Sequence, residues 1–113
     1  MTQPKTSRSR VRKTARRYPA DRSLITDFQE IPNVGPSIAD DFRQLGFSNP
    51  VDLIGQDPYA LYDRMCTITN TRQDPCVADV FIAAVRFMEG SPPHTWWHYT
   101  AERKQVFAAR APR

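Results

Sequence analysis

The stretch Ile31-Pro32-Asn33-Val34-Gly35-Pro36-Ser37-Ile38-Ala39-Asp40-Asp41-Phe42 leaves this chain few ways to fold. Pro36 has no N–H and a φ already set for a helix, so it suits the first helical position. Gly35 ahead of it takes a capping or otherwise strained backbone conformation without steric cost. Ile38, Ala39, Phe42 and Leu45 then recur at helical spacing and make one apolar face. Leu24, Ile25, Phe28 and Ile31 make a second stripe upstream. Two helices joined by a short Gly/Pro turn form an αα-hairpin. The second helix of such a hairpin leaves the N–H groups of Ser37 and Ile38 without intrahelical partners beside Gly35. A helix start of this kind attracts anions, phosphate among them.

The pattern is echoed 39 residues on. Gly35-Pro36-Ser37-Ile38-Ala39-Asp40-Asp41-Phe42 aligns with Asp74-Pro75-Cys76-Val77-Ala78-Asp79-Val80-Phe81. A helical hairpin cannot bury its apolar face alone, and two stacked copies share a core. The echo predicts a pseudo-twofold pair of hairpins with 46–57 as connector. Asp74 stands where the first copy has Gly35, and a capping carboxylate occupies its own helix amides. Only the first hairpin is then open to an external phosphate.

The spacing predicts a helix over about 22–30, started by Asp21 or Ser23, and another over about 36–45 that Gly46 ends. A short helix at 51–54 stops at Gly55. Asp57-Pro58 starts a helix over 58–69 that buries Leu61, Tyr62, Met65 and Ile68. Asp74-Pro75 starts the most apolar one, 75–89, carrying Val77, Val80, Phe81, Ala84, Val85 and Met88, and Gly90 with Ser91-Pro92-Pro93 closes it. Trp96, Trp97 and Tyr99 follow, then a polar, weakly helical tail. The 10 prolines argue against long uninterrupted helices.

Charge divides the chain. Residues 1–22 hold eight Lys/Arg against one acid, Asp21, while the remainder holds eight Lys/Arg against eleven acids. A basic arm on a mildly acidic body reads as a flexible reach for an anionic surface, nucleic acid first; the plainer reading is a disordered, solvated tail. No run approaches the ~20 apolar residues of a membrane span. The basic start lacks the apolar run of a secretory or twin-arginine signal. Pro4 and the polar spacing make it a poor amphipathic transit helix, so a cytoplasmic protein is expected.

The stretch 31–39 resembles the helix-hairpin-helix motif, apolar-Pro-Gly-apolar-Gly-Pro-x-x-Ala, over about residues 24–45. The resemblance implies hairpin amides that hold a DNA phosphate without reading sequence. Asn33 replaces the first Gly of the motif, although Asn tolerates the left-handed region better than most residues. Ser37 and Asp41 stand where basic residues are common, and a carboxylate at 41 repels a phosphate. Asp57-Pro58-Tyr59-Ala60-Leu61-Tyr62, Cys66, Arg72-Gln73-Asp74-Pro75-Cys76-Val77, Phe81 and Trp96-Trp97 extend the likeness. Over about 24–100 the chain is similar to the small bacterial pathogenicity-locus proteins, helix-hairpin-helix proteins sometimes labelled DNA-binding or mitomycin-resistance proteins. That likeness implies a fold more than an activity.

Other chemistry finds less support. Cys66, Cys76, His94 and His98 invite a zinc reading, and His-x₃-His spacing suits it, but the cysteines lie too far apart for a compact finger. Cys76, near a helix start, is open to a lowered thiol pKa and a nucleophilic role, yet no base partner is apparent. Asp52 and Asp57 lie where some helix-hairpin-helix glycosylases carry a catalytic Asp, but no second lobe is present to hold a flipped base. No enzyme, metal or cofactor is expected. Trp96 reads best as part of the core. Trp97 is evenly divided between core and a partner contact, either base stacking or a protein anchor.

The expected architecture is all-α, about five short helices in two stacked hairpins of helix-hairpin-helix or sterile-alpha-motif-like form. Residues 1–22 form a disordered Arg-rich arm, 23–100 the domain and 101–113 a polar tail. The expected function is sequence-nonspecific DNA binding through Val34, Gly35, Ser37 and Ile38 with Arg8, Arg10, Arg12, Lys13, Arg16 and Arg17. The alternative is a helical protein-interaction module with Trp97 at the contact.

Overall fold

The computed structural model describes residues 18–110, and among these every regular element is helical. Four α-helices form: α1 (Pro36–Gln44), α2 (Pro58–Thr69), α3 (Pro75–Met88) and α4 (Thr100–Arg110). Four short 3-10 turns, Arg22–Leu24, Phe28–Glu30, Pro50–Leu53 and Trp96–Tyr99, link them. The first three helices each begin on a proline, whose fixed φ and missing N–H cost nothing there.

The helix expected over 22–30 is instead two separate turns. Asp21 accepts from the amide of Ser23, and Asp27 accepts from that of Gln29. Glu30 reaches back to the amides of Thr26 and Asp27. Two caps so close together compete for the same backbone, and the segment breaks between them. Leu24 consequently leaves the expected apolar stripe and is exposed, while Ile25, Phe28 and Ile31 stay buried. The short helix expected at 51–54 is a 3-10 turn one residue earlier, held by a capping box between Asn49 and Asp52. Within α2, Leu61, Tyr62 and Met65 are buried, but Ile68 is exposed on the solvent side.

Helix α3 is the centre of the molecule. The turns Arg22–Leu24, Pro50–Leu53 and Trp96–Tyr99 pack on it, as do α2 and α4. Most of its residues are buried, including Phe81, Ile82, Ala84 and Val85. The 39-residue echo is realised in the core: Ala39 and Ala78 are both fully buried, and Phe42 meets Phe81 with ring centroids 5.2 Å apart. Phe28 extends the stack, 5.3 Å from Phe42. Each such phenylalanine contributes roughly 1.5–3 kcal/mol through burial alone.

Polar ties fix the ends of the helices. Arg64 donates to the Leu45 carbonyl at the end of α1 (2.7 Å), and the Gly55 amide donates to Glu89 at the end of α3 (2.9 Å). Arg22 donates to the carbonyls of Pro19, Phe87 and Ser91 at 2.7–2.8 Å, with its guanidinium 4.0 Å from the centroid of the Phe87 ring. A cation at the C-terminal end of α3 also meets a favourable helix dipole. Tyr18 closes the same corner, edge-on to Phe87 at 4.9 Å.

The weakly helical tail of the sequence reading is, up to residue 110, a docked helix. Asp79, fully buried in α3, accepts from the Thr100 hydroxyl (2.7 Å) and from Nε and Nη2 of Arg103 (2.8 and 3.3 Å). Glu102 accepts from the Tyr59 hydroxyl (2.7 Å) and from both terminal nitrogens of Arg86 (3.1 and 2.8 Å). Arg86 chiefly, with Tyr59 helping, holds the Glu102 carboxyl below its ordinary range. Burial first, then the Glu102 bond, pushes the Tyr59 hydroxyl up. Phe107 adds the apolar contact, 5.4 Å from Tyr62. No α4 residue is fully buried, so polar contacts carry much of the docking.

Asp79 and Asp40 occupy equivalent places in the echo, yet Asp40 is exposed. Removing one partner of a buried ion pair leaves the other uncompensated. Asp79→Ala is expected to lower the unfolding free energy by about 3 kcal/mol, and Asp40→Ala to change it by less than about 0.5 kcal/mol. Urea melts of the two variants check this; equal small losses would show that the pair does not hold α4.

Candidate nucleic-acid interface

The turn that leads into α1 forms as its residues require. Ile31 and Val34 are buried beneath it, and the Val34 amide donates to the Ile31 carbonyl (3.1 Å). Between them Asn33 takes a left-handed conformation, φ 74°, one that Asn adopts more readily than most residues. Its side-chain amide donates to the His94 carbonyl (2.8 Å). The departure from the motif's first glycine therefore has a second use: it pins the turn to the segment after α3.

Gly35 is the N-cap of α1 in extended backbone, φ −94° and ψ −171°, with no side-chain cap. A Cβ built there meets nothing within 4 Å. Space, rather than backbone strain, is what glycine provides here. The Ala39 amide already returns to the Gly35 carbonyl, and Pro36 has no N–H. The amides of Ser37 and Ile38 are left at the start of the helix, with Ser37 exposed and Ile38 half-buried. Helices α2 and α3 differ: Asp57 accepts from the Tyr59 amide and Asp74 from the Cys76 amide, each at 2.9 Å. The Gly35/Asp74 exchange thus leaves α1, alone of these three helix starts, without a carboxylate over its amides.

Asp41 lies one turn along α1 from Ser37 and is half-buried. Burial first, and the Asp40 charge second, push its carboxyl above the ordinary range. Val34 sits under the turn and shapes it without facing solvent. Arg8, Arg10, Arg12, Lys13, Arg16 and Arg17 lie outside the described residues. Arg22, counted with the arm in the sequence reading, is instead committed to three carbonyls of the body.

The remaining candidates separate. His94 and His98 stack ring on ring with centroids 3.9 Å apart. No cluster of three or more His, Cys, Asp or Glu able to hold a metal forms among the described residues. The lowered thiol considered for Cys76 is reversed. Burial first, then the neighbouring Asp74 and Asp79 carboxylates, pushes that thiol up. Asp52 and Asp57 are occupied as caps, Asp52 accepting from the amides of Ser48 and Asn49. Trp96 is half-buried, whereas Trp97 is 62% exposed and meets Trp96 edge-on at 5.4 Å. Tyr99 fills the core position instead.

The pathogenicity-locus family model matches residues 21–105, most of the chain. The chain belongs to the Cdd1 pathogenicity-locus family. Among its relatives, a protein named mitomycin resistance protein McrB from Streptomyces lavendulae is 41% identical over 83 residues, spanning 74% of this chain and 79% of the relative. No solved structure matches at a significant level. No helix among the described residues of this family member is long and apolar enough to cross a membrane.

The pins missing from the sequence reading are Asn33 to His94, Arg22 to the end of α3, and Asp79 to α4. The echo marks the third, since Asp79 repeats Asp40, but its burial depends on α4. Gly35→Asp places a carboxylate where α2 and α3 already carry one. With room for the side chain and no strain, it is expected to raise stability by a few tenths of a kcal/mol. Thermal melting checks this, and a clear loss would contradict the open geometry at Gly35.

Proposed function

We propose that this family member is a cytoplasmic, sequence-nonspecific DNA-binding protein, with the turn 31–36 acting as a helix-hairpin-helix turn. The amides of Ser37 and Ile38 hold a backbone phosphate, Gly35 allows it to approach, and Val34 supports the turn from beneath. Arg8, Arg10, Arg12, Lys13, Arg16 and Arg17 supply most of the electrostatic attraction. The observation that carries the reading is the open start of α1 beside two carboxylate-capped helices. Phosphate contacts of this kind position a protein but carry no sequence information. Asp41, one turn from Ser37, keeps the hairpin contact weak, so the arm dominates affinity.

Trp97 favours a second reading, a protein-interaction module, since an exposed tryptophan is a common anchor for a protein partner. The resistance named for the Streptomyces relative enters this proposal as a cellular readout, survival of mitomycin-treated bacteria.

Fluorescence anisotropy on duplex DNA across a salt series separates the two readings. If four to six arm cations meet phosphates, log K falls against log salt with a slope of roughly −4 to −5. Gly35→Asp is expected to weaken binding at every salt concentration while leaving the slope nearly unchanged, and Asp41→Asn to strengthen it. Neutralising the six arm cations is expected to flatten the slope. An absence of affinity for both duplex and single-stranded DNA at low salt would reject DNA binding and leave the interaction module.

A further inference from the structure

We propose that the segment 91–99 is a stacking platform for unpaired bases, which makes single-stranded DNA the preferred partner; this rests on the DNA-binding reading above. Trp97 is 62% exposed on a chain where Trp96, Tyr99 and His94 are at least half-buried. It is not a loose side chain: its ring meets Trp96 at 89°, and the turn beneath it is closed by the bond from the His98 amide to the Thr95 carbonyl (3.0 Å). A fixed aromatic face open to water suits a nucleobase, because every base offers a π-face and stacking tolerates any sequence. His98 adds a second exposed ring, backed by His94.

Two pins set this platform between the Gly35 turn and the start of the described chain. At one end, the Asn33 bond to the His94 carbonyl ties the segment to the Gly35 turn. At the other, Arg22 donates to the Ser91 carbonyl, and Tyr18 packs on Phe87. The described chain therefore begins beside residue 91. The seventeen residues before Tyr18 carry Lys5, Arg8, Arg10, Arg12, Lys13, Arg16 and Arg17 and no acid. From Ser91 to Trp97 the chain spans at most about 20 Å, within the reach of a few nucleotides of single strand. A polyanion whose planar groups are free to stack fits an exposed tryptophan tied to an open helix start, on a chain whose first seventeen residues carry seven cations. A duplex offers the phosphates but keeps its bases paired, and Trp97 has no partner there.

The full-length chain is titrated with a dT oligonucleotide and with a duplex of equal length at the same salt, following tryptophan fluorescence and anisotropy. The expected result is tighter binding of the single strand with quenching of tryptophan emission. Trp97→Ala is expected to weaken single-strand binding by about tenfold and to leave duplex binding unchanged, and Trp97→Tyr to restore most of the loss. Equal affinity of the intact chain for the two forms, or a Trp97→Ala variant that binds the single strand as tightly as the intact chain, overturns the platform. In either case a duplex affinity that Gly35→Asp weakens leaves the DNA-binding reading standing. Binding of neither form at low salt overturns both.

Discussion

The contact between Phe42 and Phe81 is the interaction on which the rest of this structure depends. These rings occupy the same place in the two copies of the echoed pattern, and they meet in the core with Phe28 alongside. The alanines three residues earlier, Ala39 and Ala78, are fully buried in the same core. Units this small bury little apolar surface alone, and packing one half on the other gives them a shared core. Once α1 is fixed against α3, the turn before α1 is fixed as well, and with it the direction in which the amides of Ser37 and Ile38 point.

The two copies are alike in the core and different at their polar positions. Asp74 closes the start of α3, whereas Gly35 leaves the start of α1 open. Asp79 is buried and holds α4 through Thr100 and Arg103, whereas Asp40 lies in solvent with a loose contact to Arg43 (3.6 Å). One copy has become the scaffold, its polar groups turned to internal use. The other keeps a helix start free. The two echoed halves can divide labour in this way because apolar positions join them in one shared core.

Much of this was legible in the chain. The boundaries of α2, the proline starts and the core role of Phe42, Phe81, Leu61 and Met65 follow from spacing and caps. The exchange of Gly35 for Asp74 marked which helix start stays open. What could not be read were contacts between distant parts of the chain. Asp21 and Asp27 each cap a turn, and that local competition dissolved a helix that the apolar stripe of Leu24, Ile25 and Phe28 suggested. Arg22 reads in the sequence as one more arm cation, and only the fold sets the end of α3 beside it. The tail beyond Thr100 has little apolar content, and its docking rests on carboxylates of α3 and α4 whose partners lie 16 to 43 residues away.

The central claim is that the start of α1 receives an external phosphate while α2 and α3 are closed by their own carboxylates. Amide chemical shifts on titration with a short DNA oligonucleotide test it most directly. The account predicts that the Ser37 and Ile38 amides move in a saturable way, while those of Tyr59 and Cys76 stay in place. Shifts of equal size at all three helix starts, or none at Ser37 and Ile38 while the oligonucleotide binds elsewhere, would contradict it.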